Sequence, residues 1–156
     1  MTIFEKLRAG ARTTSADEMR ALAAELAAAL PADVTLALHG NLGVGKTTFV
    51  QGLARGFGIT EAVTSPTFNI YTVHRARSGA ETPVPGRERP RTLVHLDAYR
   101  LENTHQVEDL LLDDFLVTPW CLAVEWPEKV ADWLPPETLQ LVLGIEPDEA
   151  HTIRLR

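Results

Sequence analysis

Apolar positions recur along the chain in two alternating rhythms. Between Ser15 and Leu30, Met19, Leu22, Ala23, Leu26, Ala27 and Leu30 follow the i, i+3, i+4, i+7 spacing of one buried helical stripe. Ser15 with Glu18 three residues on has the form of a capping box, Asp17 suits the positive end of the first turn, and Pro31 helps end the helix. Val34-Thr35-Leu36-Ala37-Leu38-His39 then reads as a buried strand. A glycine-bearing turn follows, and the helical rhythm resumes from Lys46 to Phe57. It turns Phe49, Val50, Leu53 and Ala54 inward and closes at Gly56 and Gly58.

Further on, the turn Ser65-Pro66-Thr67 leads into a strand from Phe68 to His74. Residues 75–91 read as a flexible loop. They hold Pro83, Pro85, Gly86 and Pro90, with Arg75, Arg77, Arg87, Arg89 and Arg91 against only Glu81 and Glu88. Thr92 to Leu96 is a strand ending in Asp97. Residues 105–116 are loosely helical, with His105, Glu108, Asp109, Asp113 and Asp114 towards water. Cys121-Leu122-Ala123-Val124 is a buried strand ending in Glu125, and Pro127 opens a short helix to Trp133 that Pro135 and Pro136 stop. Alternation at Leu139, Leu141 and Leu143, a turn at 146–149 and the run Thr152 to Leu155 predict a terminal antiparallel hairpin. The sum is an α/β sheet, parallel in the middle and antiparallel at the edges.

Composition narrows the class. A chain of 156 residues has the size of one domain, and 45% apolar with 23% charged residues excludes wholesale disorder and fibrous classes. Its one cysteine, Cys121, excludes a disulfide framework and a multi-cysteine zinc site, and inside a strand it reads as an inert core thiol. No apolar stretch approaches the ~18 residues of a membrane span, so a cytoplasmic protein without membrane association is expected. The net charge of −6 provides no overall basic bias for autonomous nucleic-acid binding. Any role on RNA or DNA is expected to run through a partner.

The most specific signal is Gly40-Asn41-Leu42-Gly43-Val44-Gly45-Lys46-Thr47, which satisfies G-x-x-x-x-G-K-[ST] without gaps and sits between a strand and a helix. Glycines let the backbone curl so that successive N–H groups converge on phosphate oxygens, and the helix that follows adds its positive end. In such a loop Lys46 serves the β- and γ-phosphates, Thr47 a Mg²⁺ ion, and Thr48 the α-phosphate. A glycine-rich turn that binds nothing is the bland alternative, and the strand–turn–helix context weighs against it.

A magnesium–nucleotide site also needs carboxylates behind the metal. Asp97 and Glu125 each end a buried strand, and in parallel sheets those ends gather beside the phosphate loop. The bland alternative is that each is merely the first solvated residue after a strand, and the phosphate loop, whose chemistry requires such groups, favours the functional reading. No N-K-x-D is present, and Asp97-Ala98-Tyr99-Arg100 is not D-x-x-G, so ATP is favoured over GTP. His39, His74, His95, His105 and His151 show no metal-ligand spacing. Arg100 is the in-chain candidate for an arginine finger.

Taken in order, GNLGVGKTTF, Ser65-Pro66-Thr67-Phe68, His95-Leu96-Asp97-Ala98-Tyr99-Arg100-Leu101 and Glu125-Trp126-Pro127 resemble the bacterial TsaE (YjeE) family of small ATPases. The resemblance runs from about residue 13 to the C-terminus. It implies a P-loop NTPase fold, with central parallel strands flanked by antiparallel ones and helices on both faces. It implies an ATPase required for threonylcarbamoyladenosine formation on tRNAs reading ANN codons, acting indirectly beside the partners TsaD and TsaB. By match, Thr47 and Glu125 bind Mg²⁺, Asp97 is a Walker-B-like acid, and Thr67 lies on a switch-like segment near the γ-phosphate. The segment around Thr14 and Ser15 helps contain the adenine, and Trp126 walls the phosphate pocket. Two departures stand out: Asn41 where the family usually has Asp, and the long Arg-rich stretch 75–91.

Two other function classes share the loop. A small-molecule kinase could use the Arg-rich segment as a lid, although its prolines disfavour a lid helix. A nucleotide-dependent binding module would bind without turnover.

Overall fold

The chain begins with a helix that its hydrophobic rhythm does not announce. In the computed structural model, which describes residues 1–41, 43–66, 70–77 and 89–156, Thr2 accepts from the Glu5 N–H at 3.1 Å, and the Glu5 carboxylate accepts from the Thr2 N–H at 2.8 Å. This reciprocal cap satisfies two otherwise orphaned donors and starts α1 (Ile3–Ala9), which buries Ile3 and Leu7. A short strand, β1 (Ala11–Thr13), follows. Neither element was expected: one spans seven residues and the other three, too few for periodicity to register.

Ser15 caps α2 (Ala16–Ala29) by accepting from the Glu18 N–H at 3.1 Å. The expected reciprocal half goes elsewhere. Glu18 accepts from the Thr14 N–H at 2.6 Å and the Thr14 hydroxyl at 3.1 Å, and these bonds hold its carboxyl below the usual range. Then come β2 (Val34–His39), α3 (Lys46–Gly56), β3 (Tyr71–Arg75), β4 (Thr92–Asp97), α4 (Thr104–Glu108), β5 (Trp120–Glu125), β6 (Leu139–Ile145) and β7 (His151–Leu155).

All seven strands form one sheet in the order β1-β7-β6-β2-β5-β4-β3. The central pairs β6–β2, β2–β5 and β5–β4 are parallel, and the outer pairs β1–β7, β7–β6 and β4–β3 are antiparallel. Strand alternation splits the core. Leu36, Leu38, Leu93, Cys121 and Ala123 face one cluster with α1, α2 and α3, while Val94, Leu96, Leu122 and Val124 face a second with α4 and the turns after it. Helices therefore cover both faces, and the fold is the expected α/β P-loop arrangement.

The α2–α3 contact is unusually close. A Cβ on Gly52 would lie 2.4 Å from the Arg20 carbonyl oxygen and 2.6 Å from the Ala23 Cβ, so only glycine fits there. Other boundaries moved for local reasons. The expected strand from Phe68 begins at Tyr71, directly after Ile70 at φ +66°; Phe68 itself lies outside the described residues. The loose helix over 105–116 breaks at Leu111 (φ +52°) into α4 and a 3₁₀ turn at Leu112–Asp114. Pro127 starts only a 3₁₀ turn, Pro127–Val130. The Arg-rich stretch springs from the β3–β4 hairpin, where Arg75 pairs with Thr92 and the Ala76 N–H donates to the Arg91 carbonyl at 2.8 Å. Its residues 78–88 lie outside the described residues.

Candidate functional site

The end of β2 carries the chain at His39 into Gly40, and the turn closes at Gly45, the residue before α3. Two of its glycines are sterically required. A Cβ on Gly40 (φ +146°) would lie 2.7 Å from the Leu143 carbonyl oxygen, and Gly45 (φ +100°) opens α3 from the left-handed region. No side chain caps α3 and no acid lies in its first turn. Its leading N–H groups therefore lack a side-chain acceptor and retain the positive end of the helix dipole, as an anion site requires.

Lys46 is the first residue of α3 and is buried. Its ammonium donates to the Gly40 carbonyl at 2.7 Å and lies 4.1 Å from the centroid of the Trp126 ring. Burial pushes the Lys46 pKa down, opposed by the charges of Glu125, Asp97 and Glu128. Among the described residues it forms no ion pair, so neither Glu125 nor Asp97, the two strand-end acids whose charges it feels, neutralises it.

Those acids end adjacent strands. Asp97 pairs with Glu125 in the β4–β5 register, and Glu125 pairs with Leu38 across β2. Alternation turns both to the sheet face that carries α3. The Asp97 carboxylate accepts from the Tyr99 N–H at 3.0 Å. Burial raises its pKa most; the Tyr99 bond opposes this, Glu125 adds to it, and His95 and Lys46 act against it. Glu125 is 5% exposed, and its Oε2 lies 2.6 Å from Nε2 of His95. Trp126 follows at φ +55°, unusual for a bulky residue, with its ring centroid 5.2 Å from that of Tyr99. The loop, the lysine, both acids and this aromatic wall thus share one end of the sheet.

Other expected residues are placed less directly. Thr47 and Thr48 are half-buried in the first turn of α3, while Asn41 and Gly43 are exposed on the loop. Val44 is buried, and its carbonyl accepts from Nδ1 of His151 at 2.8 Å. The Ser15 hydroxyl is committed to capping α2; further along that helix, the Met19 methyl would stand 3.6 Å from a Cβ on Gly45. Arg100 is exposed in the turn after Asp97. Leu42 and Thr67 lie outside the described residues.

Two histidines join the site without any ligand spacing in the sequence. His95 had a usable signal, since it stands two residues before Asp97 and alternation puts both on one face. His151 had none, because it approaches Val44 from a strand 107 residues away. Cys121 is fully buried and burial pushes its thiol up, as for an inert core residue.

Among the described residues, no group of three or more His, Cys, Asp or Glu side chains could hold a metal ion by itself. Two carboxylates and a threonine beside an anion site instead match the demands of Mg²⁺, which takes few protein ligands and completes its shell with water and phosphate oxygens. No helix among the described residues is long and apolar enough to cross a membrane.

Comparison with known proteins bears on the same residues. Residues 13–153 match the family described as threonylcarbamoyl adenosine biosynthesis protein TsaE. The chain is 39% identical over 143 residues to a tRNA threonylcarbamoyladenosine biosynthesis protein TsaE of Bacillus subtilis, covering 91% of this chain and 81% of that one. It is 43% identical over 124 residues to one of Streptomyces coelicolor, covering 79% and 76%. The crystal structure of YdiB from Bacillus subtilis superimposes with a TM-score of 0.70 at 32% identity, over 94% of this chain and 82% of that one. On the family match and these identities, the chain belongs to the TsaE family.

Proposed function

We propose that this chain binds and hydrolyses Mg²⁺-ATP and that it serves threonylcarbamoyladenosine formation on tRNAs reading ANN codons. The observation that carries the reading is Lys46, a buried ammonium at the mouth of the phosphate loop, held by one loop carbonyl and, among the described residues, paired with no acid. Burying an unpaired charge is costly in a resting protein and useful to one that receives an anion. The relatives' names supply the pathway, and the net charge of −6 accords with reaching tRNA through partner proteins, TsaD and TsaB.

In this mechanism the N–H groups of the loop and of the first turn of α3 hold the β-phosphate, and Lys46 moves from the Gly40 carbonyl to the β- and γ-oxygens. Thr48 meets the α-phosphate, and the segment around Thr14 and Ser15 lies towards the adenine. Thr47 and Glu125 hold the metal, with Asp97 as the acid behind it, and Thr67 lies towards the γ-phosphate. Mg²⁺, when bound, offsets the charge of the phosphates. Trp126 and Tyr99 exclude water from one side of Lys46. Turnover by the chain alone is slow, because Arg100 is exposed and no other finger is evident among the described residues.

The test is phosphate release from ATP, with no acceptor added, measured alone and with TsaD and TsaB. Release that rises with the partners, together with ATP-dependent co-purification, is expected. No release under either condition would leave a binding module, and phosphate transfer to a small metabolite would make the chain a kinase.

A further inference from the structure

Among the described residues two buried side-chain atoms lack a hydrogen-bond partner, Thr13 Oγ1 and His95 Nδ1. The second stands next to the site. His95 is 0% exposed and pairs in register with Ala123, amid apolar neighbours such as Leu93. Leaving a polar atom unmatched in such a place is unfavourable, and an apolar side chain would avoid it. Packing alone therefore does not account for an imidazole here.

Among the described residues, the ring's one hydrogen-bonded contact identifies its use. Nε2 lies 2.6 Å from Oε2 of Glu125, and an ionised carboxylate oxygen can only accept, so the Nε2 hydrogen lies between them. Oε1 of Glu125 has no hydrogen-bond partner among the described residues. We infer that His95 is a positioning residue for Glu125: its Nε2–H fixes one carboxylate oxygen and leaves the other to meet a cation. The inference rests on Glu125 being the metal-side acid proposed above. A hydrogen bond from His95 also achieves what an ion pair with Lys46 would not. It restrains a flexible glutamate while leaving the lysine charge for phosphate. Outer partners that orient a metal-ligating carboxylate commonly matter about 10–100-fold in metal affinity.

The experiment measures Mn²⁺ affinity by electron paramagnetic resonance in the presence of adenylyl imidodiphosphate, and affinity for that nucleotide in EDTA by calorimetry. His95→Leu is expected to weaken Mn²⁺ binding by about 10–100-fold while nucleotide binding in EDTA stays at the parent level. His95→Gln, whose amide nitrogen can stand where Nε2 is, recovers most of the affinity. His95→Asn, whose shorter amide stands where Nδ1 is, does not. Parent-like Mn²⁺ binding by His95→Leu, or Gln no better than Asn, overturns the inference. If His95→Leu loses cooperative melting, the Gln–Asn comparison decides alone. A parent protein that binds neither the nucleotide nor Mn²⁺ overturns the proposed function and this inference with it. A parent that binds both, with variants that do not differ, overturns the inference only.

Discussion

The ammonium of Lys46 stands 4.1 Å from the centroid of the Trp126 ring, between that ring and the Gly40 carbonyl it donates to at 2.7 Å. A cation over an aromatic face is held by the ring quadrupole at about 0.5–2 kcal/mol, less than a charge-assisted contact with phosphate supplies. Neither partner carries a full negative charge, so the ammonium stays available to an anion. Removing the amine should cost one or more charge-assisted hydrogen bonds of about 1.5–3 kcal/mol each. We expect Lys46→Ala to weaken ATP binding by about 100-fold on that basis, measured by calorimetry. Unchanged affinity would mean that the loop does not meet phosphate.

The acids should separate binding from fold. Asp97 and Glu125 end strands whose cores lie further back, so truncating either leaves the sheet register intact. Asp97→Ala and Glu125→Ala are expected to lower Mg²⁺-dependent ATP hydrolysis about 100-fold, in line with the loss of a transition-state charge partner worth roughly 2.7–4 kcal/mol. Circular dichroism should stay at the parent level. Both variants hydrolysing ATP like the parent would remove the metal side of the assignment.

Asp97 also makes a pH-dependent prediction. Burial lifts its folded pKa above the ordinary 3.8, so between the two values the folded protein binds more protons than the unfolded one. Stability from this group therefore falls as pH rises through that window, and above it the ionised carboxylate is a standing cost. Asp97→Asn keeps an oxygen to accept from the Tyr99 N–H. It should raise Tm at pH 7 and lose that advantage below about pH 4. A lower Tm than the parent at pH 7 would show that the charge stabilises the fold.

A substitution away from the site tests the helix pair. Alanine is favoured over glycine inside a helix by about 0.8–1.0 kcal/mol. At Gly52, however, the new Cβ would meet the Arg20 carbonyl oxygen at 2.4 Å, and backbone cannot yield as a side-chain tip can. Overpacking of this kind costs about 1–3 kcal/mol, so the clash wins. Gly52→Ala should lower the denaturant midpoint, and a midpoint at or above the parent value would show that α2 and α3 can move apart.

Local features were legible to the extent that neighbours in sequence are neighbours in space. β2 spans the predicted Val34–His39, and α3 begins at the predicted Lys46, because strand, glycine turn and helix each carry their signal within a few residues. The cap of α2 was half legible: Ser15 does its part, but Glu18 turns to Thr14, a choice between two N–H groups one residue apart. The breaks at Leu111 and Ile70 were not, since positive φ is uncommon for bulky residues and no residue type at these positions signals it.

What the sequence determined by itself is the phosphate loop and the presence of an acid at the end of each of two buried strands. Such features depend on residue type and spacing along a short stretch of chain. Only the tertiary structure decided that β4 lies against β5, so that Asp97 stands beside Glu125, and that His95 and His151 reach the site. Strand order joins segments far apart in the chain, and the burial of whole faces selects it. Composition and periodicity say which residues must be buried, but the partner against which each is buried is settled only when the sheet closes.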